Sequence, residues 1–210
     1  MKRFLTLILA GLFAQLMVSC YPEGAEYVED YDVAMTNYNK SADFSTFTTF
    51  AIPDSIVHFS NDEDATIDHQ YDDQILKLVT ENFVKKGYTL VDTSQKPSFI
   101  VTASAFSNVS YSYYMDNWYN NWNWYWGSSW WPGTNPFYPY YPWYPSTVYS
   151  YRSGSLVIDM ISTTTREDNK VDVVWNGIAD GLLQGSGVSI LYRLEKQINQ
   201  CFEQSPYLMK

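Results

Sequence analysis

The chain has 210 residues, 18% of them aromatic, with 13 Lys and Arg against 23 Asp and Glu and a formal charge of −10. That length suits one domain with a full core and is too short for two large ones. The acidic balance excludes nucleic-acid binding, whose affinity rests on Lys and Arg neutralising phosphates.

The chain opens on Met1, Lys2 and Arg3, followed by an apolar run from Phe4 to Val18 and then Ser19 and Cys20. A charged start, a short apolar stretch and a small residue before the cut are the parts of a secretory signal, and the run is too short to span a bilayer comfortably. Leu16 to Cys20 resembles the lipobox read by the lipoprotein signal peptidase. Residues 1–19 are therefore expected to be a lipoprotein signal peptide, cut before a Cys20 that carries diacylglycerol. Several acyl chains at about 0.8 kcal/mol per buried methylene anchor a protein stably, where one chain binds only reversibly. The alternative is an ordinary secretory signal with Cys20 an incidental thiol. Removing Lys2 and Arg3 leaves 11 basic against 23 acidic residues, a charge of −12. Tyr21 stands where an Asp holds many lipoproteins at the inner membrane. An outer-membrane lipoprotein, facing the periplasm or the surface, is the expected address.

Residues 20–40 are acidic with scattered apolar positions and read mostly as a lipidated tether, with an early strand possible over Tyr27 to Val33. The single α+β domain is placed at 41–210. Phe44 to Ile52 is rich in β-branched and aromatic residues and stops at Pro53, which predicts a strand. After an acidic loop, Ile75, Leu76, Val79 and Phe83 recur at helical spacing, predicting a helix from about Asp72 to Lys86. Asp72 or Asp73 suits its start, Lys85 and Lys86 its negative end, and Gly87 the left-handed closing position. Tyr88 to Val91 and Ser98 to Phe106 read as strands divided by a polar turn that ends at Pro97.

Residues 111–151 form a low-complexity aromatic insert holding seven of the eight Trp. Its prolines at 132, 136, 139, 142 and 145 rule out a continuous helix or a central strand. Three readings stay open. The rings stack on glycan or peptidoglycan sugars, with Asn117, Asn120, Asn121 and Asn123 hydrogen-bonding; they contact membrane or another envelope protein; or they cover the sheet. Trp118, Trp122, Trp124, Trp126, Trp130 and Trp131 are the candidate contacts for a ligand or partner.

Ser155 to Ser162 and Val171 to Ala179 read as a hairpin. A last amphipathic stretch from about Val188 to Gln204 places Ile190, Leu194, Ile198, Cys201 and Phe202 on one helical face. The order predicts an α+β two-layer sandwich, a mixed and mostly antiparallel sheet with two helices on one face. Because the strands at 99–106 and 156–161 are apolar on both sides, something should cover the second face, and the aromatic insert is the candidate.

Chemistry-bearing residues are few. Cys201 falls on an apolar helix face, where a lone thiol acts as a small hydrophobe. His58 and His69 lack companions at zinc-ligand spacing, so no metal site is expected. Asp62, Asp64, Thr66, Asp68, Gln70 and Asp73 approach the spacing of a calcium loop, but Ile67 stands at the turn glycine and Asp73 at the bidentate Glu; a solvated acidic loop is the reading. Asp159, in an apolar strand, needs a buried partner such as Arg152, Arg166 or the Trp175 indole. No cofactor and no catalysis are expected.

Asp43 to Phe50, Lys86-Gly87-Tyr88, Pro97 to Val101, Gly154 to Asp159 and Val174 to Gly177 resemble, in order, landmarks of the DUF4136 lipoproteins of Bacteroidota and other Gram-negative bacteria. Ser98 departs from the Asp more usual there, and Ser162 from an acidic residue. The resemblance implies the address and fold above, without catalytic residues to carry over. The expected function is a lipid-anchored cell-envelope protein with a binding or structural role; the alternative is a glycan- or peptidoglycan-binding module that uses the insert.

Overall fold

Alternation of apolar residues and the two amphipathic stretches resolve into one mixed sheet with two helices packed on it. The computed structural model describes residues 32–60, 69–107, 138–140, 154–167, 170–180 and 187–209. Its strands are β1 (Val33–Tyr38), β2 (Thr49–Ala51), β3 (Val57–Ser60), β4 (Thr89–Leu90), β5 (Phe99–Ser107), β6 (Tyr138–Tyr140), β7 (Ser155–Glu167) and β8 (Lys170–Asp180). The helices are α1 (Asp72–Lys85) and α2 (Gly187–Glu203). The sheet runs β1-β8-β7-β5-β2-β4, with β3 beside β5 and β6 beside β8.

The long central strands form antiparallel ladders, β5 with β7, β7 with β8 and β8 with β1. The short outer strands pair in parallel. β2 and β3 share one edge of β5: Phe50 lies opposite Phe99, and Phe59 opposite Phe106. The β7–β8 hairpin extends further than predicted, to Glu167 opposite Lys170, with register shifts after Met160 and Ile161. Such bulges let a long strand twist while it keeps its two faces.

Two elements depart from the sequence expectation at the N-terminal side. Val33–Tyr38 belongs to the sheet as an edge strand on β8, inside the stretch read as tether. Asp32, just before it, pairs with the fully buried Arg193 of α2, Arg193 Nε donating to Asp32 Oδ2 at 2.6 Å. Phe44–Thr46 is a single 3-10 turn instead of strand, because Asp43 accepts from the Ser45 backbone N–H and so caps it. Local side-chain bonds of that kind compete directly with ladder pairing.

Alternation in β5 sends Phe99, Val101 and Ala103 into the core beneath the helices. Phe83 of α1 sits at its centre, with ring centroids 5.4 Å from Phe50, 5.5 Å from Phe99 and 4.9 Å from Phe202. Aromatic pairs of this kind add about 0.5–1.5 kcal/mol each beyond area burial. Ile190, Leu194, Ile198, Cys201 and Phe202 of α2 are all buried there, on the predicted face. On the opposite sheet face Ile100, Phe106, Val157, Ile161 and Ile178 are buried as well, each 4% exposed or less. The aromatic insert expected to cover that face lies outside the described residues, apart from Tyr138–Tyr140, which pairs with β8.

Candidate functional site

The described residues bring together one cluster of metal-ligating side chains, His58, His69 and Asp72. His58 lies on β3 opposite Ala105, the β5 residue that packs against the helix-side core, so its ring points toward α1. Asp72 is the first residue of α1, and His69 sits in the turn before it, its carbonyl accepting from the Asp72 N–H at 3.1 Å. The helix thus starts without a side-chain cap: Tyr71 occupies that position and makes no such bond. The Asp72 carboxylate, expected to cap, is instead engaged by the two imidazoles.

The geometry is close. His58 Nε2 lies 2.9 and 3.1 Å from Asp72 Oδ1 and Oδ2, and His69 Nδ1 lies 2.8 Å from Oδ2. A carboxylate only accepts, so each of these ring nitrogens donates in this arrangement. The two rings meet edge to face with centroids 4.5 Å apart. The side chains of His58 and Asp72 are 15% and 13% exposed while His69 is 63% exposed, so the cluster opens to solvent on one side. The expectation of no metal site rested on the absence of companions at zinc-ligand spacing along the chain; in space each histidine has the other and Asp72 beside it. No local pattern announces the cluster, because His58 belongs to β3, a strand not predicted, and the contact is tertiary.

Asp159 is buried and takes a hydrogen bond from Asn176 Nδ2 at 3.1 Å, while Asn176 Oδ1 accepts from Asn37 at 3.2 Å. The neighbour in the β7–β8 register therefore serves it. The Trp175 indole, one of the partners expected for it, donates to Ser205 Oγ at 2.8 Å instead. Cys201 is buried with its thiol against the Ile178 carbonyl, and burial pushes its pKa up to about 12, which leaves it an unreactive packing residue. Ser98 ties β2 to the start of β5: its Oγ takes the N–H groups of Thr48 and Thr49 and donates to the Thr49 carbonyl.

Cys20 and the candidate contacts Trp118, Trp122, Trp124, Trp126, Trp130 and Trp131 lie outside the described residues. The points where the insert leaves and rejoins the sheet are described. Phe106 of β5 lies opposite Ser155 of β7, and the Gly154 N–H donates to the Phe106 carbonyl at 2.8 Å. The segment that contains the insert therefore leaves and rejoins the sheet at one end of the β5–β7 ladder.

A family model described as Domain of unknown function (DUF4136) matches residues 34–207. The crystal structure of a DUF4136 family protein from Bacteroides thetaiotaomicron is similar at 30% identity and a TM-score of 0.64, over 85% of this chain and 97% of that one. The PelC dodecamer from Paraburkholderia phytofirmans aligns at 8% identity and a TM-score of 0.37, over 85% of this chain and 98% of that one. No curated protein matches.

Proposed function

The chain belongs to the DUF4136 family, and from that premise we propose that it is a lipid-anchored cell-envelope protein whose role is binding or structural, without catalysis. The observation that carries the reading is the sequence from Met1 to Cys20: charged start, short apolar run, and a small residue before a cysteine. The reading assigns membrane attachment to acyl chains on Cys20; among the described residues no helix is long and apolar enough to cross a membrane. The tether then spans the few residues from Cys20 to Asp32, where the buried Arg193 pair begins the folded domain. The domain faces the periplasm or the surface from the outer membrane. Fractionation of cells expressing the wild type and Cys20→Ser tests this. The wild type is expected in the outer-membrane fraction and Cys20→Ser in the soluble fraction; equal partitioning of the two would refute the anchor.

A second reading, glycan or peptidoglycan recognition by the insert, is favoured by how the insert is mounted. A segment that leaves and rejoins the same strand ladder is where binding residues commonly sit, and rigid aromatic rings lose little entropy on contact. Replacing Trp122, Trp124 and Trp126 together by Ala is expected to abolish retention on a glycan and peptidoglycan panel with little change in melting temperature. Unchanged retention would remove this reading.

A further inference from the structure

We propose that His58, His69 and Asp72 form a binding site for a borderline first-row divalent cation, with zinc the reference case. Two imidazoles and one carboxylate converge from β3 and from the start of α1, with one ligand atom from each within 4.8 Å of the others. The nitrogen-to-carboxylate distances of 2.8 to 3.1 Å are slightly shorter than the roughly 3.3 Å edge of a tetrahedron built on zinc bonds of about 2.0–2.1 Å. A cation there spreads these two edges by a few tenths of an ångström, draws the nitrogen–nitrogen edge, now at most 4.8 Å, toward the same length, and takes the place of the two protons that now bridge ring nitrogens and carboxylate. Each neutral ring then carries its single proton on its other nitrogen, so the imidazoles take the metal without a net loss of protons.

The donor set selects the metal class. Two neutral imidazoles with one carboxylate suit zinc, nickel or copper, whereas calcium and magnesium demand more oxygen ligands than the cluster supplies. Three protein ligands with His69 facing solvent leave a position for water, so the site is open and exchangeable, unlike a closed structural one. The positive end of α1 opposes a cation, and the carboxylates of Asp72 and Asp73 in its first turn offset that field. A merely structural latch between β3 and α1 would have the same hydrogen bonds and no response to metal.

The test uses the full chain in detergent, without a polyhistidine tag, stripped with chelator and titrated with zinc chloride while the imidazole nitrogen–proton correlations are recorded. The chain has two histidines, so both signals are unambiguous. Both rings are expected to shift together and to saturate at one equivalent, and calcium chloride to leave them in place. By calorimetry His69→Ala, at an exposed position that leaves the fold intact, is expected to weaken zinc binding at least about tenfold. Rings that ignore stoichiometric zinc, rings that follow calcium instead, or a His69→Ala chain that binds zinc as tightly as the wild type would each overturn the proposal.

Discussion

Tyr88 packs edge-on to Phe99 with ring centroids 5.0 Å apart, is 2% exposed, and its hydroxyl has no hydrogen-bond partner among the described residues. Burial raises its pKa from 10.0 to about 12. The folded chain thus holds this proton more tightly than the unfolded chain, so the associated stability is complete below pH 10 and is lost as pH rises toward 12. Tyr88→Phe is expected to gain about 1 kcal/mol near neutrality by deleting an unsatisfied hydroxyl, and to lose less stability between pH 10 and 12. Urea melts at pH 7 and pH 11 check both. Cys201, raised from 9.0 to about 12, acts with the same sign and accounts for alkaline loss that persists in the variant. Legibility at this scale was uneven along α1. Its end was readable from Lys85, Lys86 and Gly87, the last at φ 98°. Its start near Asp72 was readable too, but the role of Asp72 was not, because its carboxylate answers to a histidine on a strand fourteen residues away instead of capping the helix.

The sheet and α2 approach closely at Gly177. A Cβ there would lie 2.7 Å from Trp175 Cη2 and 3.2 Å from the Cβ of Cys201. Glycine here makes room chiefly for the Trp175 ring of the same strand and also for Cys201 of α2. Gly177→Ala is expected to lower stability by about 1–3 kcal/mol, since the indole is buried and its N–H is held by Ser205. An unchanged urea midpoint would show that the spacing between α2 and β8 is slack. The amphipathic helices and the apolar central strands were legible because each carries its period in consecutive residues, as Ile190, Leu194 and Ile198 do in α2. The short elements were not. β2 is three residues long because Asp43 and Ser45 divert the preceding segment into a turn, and β1 is polar enough at Thr36 and Asn37 to pass for tether.

At the scale of the whole molecule, the sheet is buried on both faces while the described helices pack on one. The sequence expectation that the aromatic insert covers the other face yields a direct consequence. Replacing residues 111–151 by a short turn between β5 and β7 is expected to expose Ile100, Phe106, Val157, Ile161 and Ile178, raising binding of a hydrophobic dye and lowering the melting temperature. Unchanged dye binding and melting would assign the cover to another segment. The two-layer architecture followed from element order alone, whereas the histidine–aspartate cluster depended on β3 lying beside β5, a parallel pairing that no local pattern announces. The central claim, that this domain is held at the envelope by lipid on Cys20, is tested most directly by the intact mass of the full chain extracted from membranes. The account predicts an amino terminus at Cys20 that carries diacylglycerol and a further acyl chain. A terminus elsewhere, or an unmodified Cys20 thiol, would contradict it.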